Sequence, residues 1–216
     1  LVKLVGGHPL AAKRLAQYLK VQSPKQLLDR SESFRIGFAE YILREMQSAL
    51  TPEHCSVLQI LAVIREPASL SDMLSVKALT NRLSLEVIQQ ALFELSNLLL
   101  LEQKGELIYL HGFLATYYAR QIRSDQQLWQ DVASDFGLYA FDKAAELHGR
   151  LNTAQEMANE EGVVQLSNEV FRYSLSADRL LRLVGKDELA DQLPIRTKGV
   201  LRGLVYHFYQ EVRDYR

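Results

Sequence analysis

Few residues in this chain are placed to do chemistry. The single cysteine, Cys55, directly follows His54, and a second imidazole, His8, stands in an early Gly-His-Pro turn. A thiol beside an imidazole is the raw material of a nucleophilic centre, because the base can draw off the proton. Neither histidine has a supporting group arranged to orient it, however, and Cys55 falls on an amphipathic segment. The thiol reads as a small buried hydrophobe. One cysteine also excludes an internal disulfide framework and a multi-cysteine metal site. The chain lacks any G-x-x-x-x-G-K-[ST] run, so no backbone cradle, lysine and hydroxyl are present to hold phosphates and magnesium. With no acid–base pair, metal cluster or nucleophile constellation to assemble, an enzyme is the least supported class.

Composition narrows the remaining classes. The 216 residues are 48% hydrophobic and include 10 Tyr and 8 Phe, enough for a packed core. Formal net charge is -1, from 25 basic and 26 acidic residues, which gives no global attraction to nucleic acid or an anionic membrane. No apolar run approaches the roughly 20 residues that span a bilayer. The densest, Leu98 to Leu101, meets Glu102 at once, and no signal peptide is visible. A soluble, cytoplasmic protein is expected. The chain opens Leu1-Val2-Lys3-Leu4, inside sequence that already reads as structured. The expectation is a segment of a longer protein.

The elements that must position any site are nearly all helical, and three regions are expected. Residues 1–50 form a small helical bundle. Gly6-Gly7-His8-Pro9 starts a helix carrying Leu10, Ala11, Leu15, Tyr18 and Leu19, Ser23-Pro24 starts a short one, and Phe34, Phe38, Tyr41, Ile42 and Met46 stripe a third. Residues 51–123 have a more specific order. Thr51-Pro52 opens a helix with Val57, Ile60, Leu61 and Ile64 on one face, stopped by Pro67. Ser69 caps a second helix to about Leu79, and Ser84 caps a third with Leu85, Ile88, Leu92, Leu95 and Leu99. A hairpin follows, turning at Lys104-Gly105, and a last helix runs from about Phe113 through Tyr117, Tyr118 and Ile122. Three helices and a hairpin are the order of a winged helix.

Residues 124–216 show no strand signal. Leu128, Val132, Phe136 and Tyr139 mark a long helix, and residues 152–159 a short one. A second long helix follows Gly162 with Leu166, Val170, Tyr173, Ala177, Leu180 and Val184, ended by Gly185; a final one carries Leu201, Leu204, Val205, Phe208 and Val212. These read as helical hairpins of repeat-like character, although no period survives inspection. Tyr206, Phe208, Tyr209 and Tyr215 either fill a local core or stack on a following repeat, which would allow self-association. The fold class is therefore mainly α: a helical bundle, a winged-helix domain with one β-hairpin, then a helical hairpin or repeat-like region.

Two motifs in this order carry a resemblance. Gly6-Gly7-His8-Pro9-Leu10-Ala11 resembles the Gly-x-Pro-Leu-Ala motif of the STAND signalling ATPases, the family that includes the NB-ARC proteins. Leu110-His111-Gly112-Phe113-Leu114 stands where that family carries a Met-His-Asp motif, at the end of the wing. The resemblance covers about residues 1–122. It implies that Pro9 packs beside the adenine of bound nucleotide and that His111 reaches the β-phosphate of ADP, holding a closed state. An imidazole N–H suits a phosphate oxygen. Gly112 replaces the family's Asp and Leu110 its Met. It also implies that the phosphate-binding loop lies upstream, so ADP or ATP belongs to the full-length parent and this segment alone neither hydrolyses nor holds ATP tightly. His111 also reads more plainly as a histidine capping a helix after a strand, and Gly7-His8-Pro9 as a helix start.

Three functions compete. The first is a regulatory, non-catalytic piece of a signalling ATPase, coupling nucleotide state to a helical sensor through contacts with protein partners or other domains of its own chain. The second is a DNA-binding regulator, whose third helix would enter the major groove. Between Arg82 and Lys104 there is no Lys or Arg, while Glu86, Glu94 and Glu102 are present, a surface whose sign repels phosphate. The third is an all-helical adaptor.

Overall fold

A computed structural model describes residues 50–157 and 160–193, with positions 16, 19, 20, 23–25 and 40. The expected bundle of residues 1–50, Pro9 included, lies essentially outside the described residues. So do His8, the final helix and the aromatics at 206–215. Within the described residues the protein is mainly helical, with eight helices and a two-stranded antiparallel sheet. The chain divides into two compact units, residues 1–132 and 133–216.

The first unit is built around α1 (Pro52–Ile64). Thr51 caps it through a capping box, with Pro52 at the first turn. From Val57 to Ile64 every residue except Gln59 is buried, so this helix is covered on nearly all sides rather than along one stripe. Arg65 ends it with φ 62. The expected second helix is two short ones, α2 (Leu70–Leu74) and α3 (Lys77–Thr80), separated at Ser75-Val76. Ser69 and Asp72 form a second capping box, with Ser69 N–H donating to Asp72 Oδ2 at 2.8 Å. α4 (Leu85–Asn97) is capped by Ser84 as expected, but its buried face is Ile88, Ala91 and Leu95. Leu85 and Leu99, assigned to that stripe from spacing, are exposed. Leu85 lies in the first turn, and Leu99 lies past the end of the helix with a left-handed backbone that turns it out of the stripe.

The hairpin pairs β1 (Leu101–Lys104) with β2 (Leu107–Leu110), Leu101 opposite Leu110 and Lys104 opposite Leu107. Its turn residues are Gly105-Glu106, one later than expected. Gly105 takes φ 61 at the first central position, where a type II′ turn demands glycine. Ala68 pairs with Ile108 on the other side of β2, through Ala68 N–H to Ile108 O at 3.0 Å and Ile108 N–H to Ala68 O at 2.8 Å. α5 (Gly112–Ser124) returns to pack on α1, with Leu114, Tyr118 and Ile122 buried.

α6 (Gln126–Glu156) begins in the first unit and continues into the second. At 1.5 Å per residue its 31 residues extend about 46 Å. The short helix expected over 152–159 is absorbed into it up to Glu156, since no breaker interrupts the run. In the second unit, α6 presents Ala133, Gly137, Ala140, Ala144, Leu147 and Leu151 at alternating four- and three-residue steps. Gly137 lies against α7 (Glu160–Leu183), where a Cβ would lie 3.2 Å from Leu180 Cβ. Small residues thus let the two backbones approach closely. α7 ends in a Schellman motif: Gly185 has φ 75, Lys186 N–H reaches Leu181 O at 2.8 Å and Gly185 N–H reaches Arg182 O at 3.1 Å. α8 (Asp187–Ala190) follows, tied back by Arg182, which contacts Asp178, Asp187 and Asp191.

The same C-terminal motif ends α4 without a glycine. Leu100 N–H bonds Leu95 O and Leu99 N–H bonds Ser96 O, both at 3.0 Å, with Leu99 at φ 58 and its side chain 53% exposed. A left-handed leucine costs about 1–2 kcal/mol, whereas glycine loses only about 0.5–1 kcal/mol of chain entropy. Leu99→Gly is expected to raise unfolding free energy by about 0.5–1 kcal/mol, read as a higher urea midpoint at unchanged m-value.

Candidate functional site

The thiol–imidazole pair comes apart as a catalytic unit. Cys55 is only partly buried, contrary to the expected inner position, because the buried phase of α1 runs through His54, Val57, Leu58 and Leu61. His54 is 2% exposed and both its ring nitrogens are occupied. Nδ1 accepts from Thr51 N–H at 3.0 Å, and Nε2 lies 2.9 Å from Glu94 Oε2 on α4. That geometry makes Nε2 the protonated nitrogen, with Glu94 as acceptor, and leaves no ring nitrogen to serve the thiol. Cys55 instead shares a hydrogen bond with the Tyr118 hydroxyl of α5, and burial pushes both the thiol and the phenol above their usual ranges. A raised thiol is a poor nucleophile at neutral pH. Spacing could have signalled the His54 role, since Thr51-x-x-His54 has the stride of a capping box with imidazole in place of the usual carboxylate or amide.

His111 is the site residue that the described structure places. It is the N-cap of α5, with φ -56 and ψ 134, immediately after β2. It thus holds the capping position after a strand, although the imidazole makes no side-chain cap bond to the α5 amides. It is half-buried beside the left-handed end of α4. Burial holds its pKa below the ordinary histidine value, opposed by the Glu102 carboxylate and a hydrogen bond to the Leu99 backbone. Glu102 lies 3.4 Å from Lys104, which offsets part of its charge. α5 has no acidic residue in its first turn, and a Cβ on Gly112 would meet nothing within 4 Å. The first turn of this 13-residue helix thus follows His111 with neither a side-chain cap nor an acidic residue, a setting that favours an anion. Pro9, its expected companion at a nucleotide, lies outside the described residues.

A second concavity was not anticipated from sequence. It is a groove of about 520 Å³ between the start of α2, the outer side of α4 and the hairpin. Phe93 stands at its edge, 64% exposed. The readable signal was a phenylalanine off the apolar stripe of a helix. Among the described residues no group of three or more His, Cys, Asp or Glu could hold a metal ion, and no helix is long and apolar enough to cross a membrane. Comparison of the chain with protein families, with curated proteins and with solved structures gives no match.

Three expectations follow from this geometry. His54→Ala strands Thr51 N–H and opens a cavity between α1 and α4, so it is expected to cost about 2–3 kcal/mol in urea unfolding. Glu94→Gln keeps an oxygen acceptor for Nε2 and is expected to cost less than about 1 kcal/mol; equal losses would mean that charge rather than hydrogen bonding holds the pair. His111 has a folded pKa below its unfolded value of 6.5, so the stability it contributes is full above about pH 6.5 and is lost as pH falls through the folded value. In stability measured against pH from 7.5 to about 4.5, His111→Gln is expected to flatten the acid limb; an unchanged slope would assign the loss to other groups.

Proposed function

We propose that the chain is a regulatory, non-catalytic segment of a STAND-type signalling ATPase, which passes nucleotide state to a helical sensor through protein–protein contacts. The observation that carries this reading is the position of His111. It joins β2 to α5 in a run of helix, short helices, capped helix, hairpin and helix, with Ala68 bridging to β2. That order supports a winged helix, and the family's nucleotide-reading histidine stands at the same junction. An ADP phosphate fits the chemistry on the α5 side of His111, where amides without a side-chain cap and the open space at Gly112 would receive negative charge. ADP would supply a charged tie between this segment and an upstream nucleotide-binding domain, with Pro9 beside the adenine. His111 would hold one phosphate oxygen, and a neutral imidazole still offers one N–H for that bond. The switch would then be a two-state packing of the winged helix against that domain, biased by ADP.

The α6–α7 hairpin supports a helical sensor region beyond the winged helix, as the start of a repeat-like array. The DNA-binding reading is weaker on this surface. Glu86, Phe93 and Leu85 occupy the exposed side of α4, which would have to meet a phosphate-lined groove.

Calorimetry with ADP and ATP tests the proposal on this chain and on a version extended upstream. Binding by the extended protein alone, weakened about tenfold or more by His111→Ala, is the expected result. No binding by either form would remove the nucleotide switch and leave a helical adaptor.

A further inference from the structure

We infer that the groove between α2, α4 and the hairpin docks a partner protein segment made of an apolar anchor flanked by lysines or arginines. The groove's apolar lining comes from Leu70, Leu92, Phe93 and Ile108, and its polar rim includes Gln89 and Glu106. A volume of about 520 Å³ accommodates one or two large side chains with their backbone. Phe93 lies far around α4 from the buried line of Ile88, Ala91 and Leu95, so its ring contributes little to the core. Leu85 is 43% exposed and stands seven residues, two helical turns, before Leu92, which prolongs the apolar side of the groove along α4. An aromatic ring at the edge of a groove with a polar rim is the usual makeup of an anchor site.

Charge selects the occupant. α4 and the hairpin carry Glu86, Glu94, Glu102 and Glu106 against a single cation, Lys104. Glu94 is taken up by His54 and Gln90, and Glu102 lies near Lys104. Glu86 and Glu106 make no ion pair with a described residue. Glu86 shares the outer side of α4 with Phe93, seven residues apart, and Glu106 is at the hairpin turn on the groove's rim. Lysines or arginines beside the anchor would meet Glu106 at the rim and Glu86 farther along α4, outside the groove's lining. An acidic segment or a nucleic acid would be repelled. The inference needs no upstream domain, so it can succeed where the ADP experiment fails, and the reverse.

The test uses a fluorescein-labelled amphipathic peptide with Leu and Phe at i, i+3, i+4 and i+7 and lysines on its other face. A control peptide carries glutamates in place of the lysines. Fluorescence anisotropy is expected to show saturable binding of the lysine peptide only. Phe93→Ser and Glu106→Lys, both at exposed positions, are each expected to weaken it about tenfold or more, with circular dichroism unchanged. Glu106→Lys should also gain affinity for the glutamate peptide. Equal binding of both peptides, or binding indifferent to Phe93→Ser, overturns the assignment. So does competition by duplex DNA that Phe93→Ser abolishes, or a Phe93-dependent dimer in sedimentation velocity, which would make the occupant nucleic acid or a second copy.

Discussion

A helix that is apolar on nearly every side cannot lie at a surface, and α1 imposes that constraint on the first unit. From Val57 to Ile64 it leaves only Gln59 outside the core, so one packing partner is not enough. α4, α5 and β2 each cover part of it. The one imidazole drawn inside with this helix, His54, is tolerable because both nitrogens are met, one by the cap of its own helix and one by Glu94. Removing water from α1 therefore also fixes how α4 is rotated, since Glu94 must point at His54. That rotation sends Ile88, Ala91 and Leu95 inward and leaves Phe93 outside.

The end of α4 carries the same constraint into the hairpin. Leu95 and Leu100, both fully buried, are the apolar pair that usually accompanies a Schellman motif, and between them Leu99 is held left-handed. The strain is local and is offset by two buried leucines and two backbone hydrogen bonds. Its consequence is directional: the chain reverses into β1, and the Leu99 backbone is presented to His111 across the sheet's end. The candidate histidine is thus positioned by aliphatic packing two elements away.

Much of the first unit was legible in the sequence because its signals are local. Thr51-Pro52, Ser69, Ser84 and Gly105 each name a cap or turn by side-chain chemistry that acts within a few residues. What escaped depends on contacts distant in sequence. Leucine spacing alone put Leu85 and Leu99 in the core, but the phase of α4 is set by Ala91 and by Glu94, which periodicity weighs lightly or not at all. Cys55 was placed inside for the same reason: a thiol counts as apolar, whereas His54, polar by type, is the residue whose hydrogen bonds let it be buried. The continuation of α6 past residue 152 was hidden by Asn152 and Thr153, weak helix formers that cost little once the helix is packed. In the second unit, the close approach at Gly137 was invisible because alanine and glycine carry almost no periodic signal.

The two units also differ in what they bury. The first locks large aliphatic side chains around α1, where a small shift opens cavities on several sides. The second sets Gly137 close against Leu180 and buries Ser167, Ser174 and Ser176, whose hydroxyls meet no hydrogen-bond partner among the described residues. Each such hydroxyl costs about 1–3 kcal/mol relative to a satisfied one. The α6–α7 pair gives up polar satisfaction where its backbones come close, whereas the first unit meets both nitrogens of its buried His54.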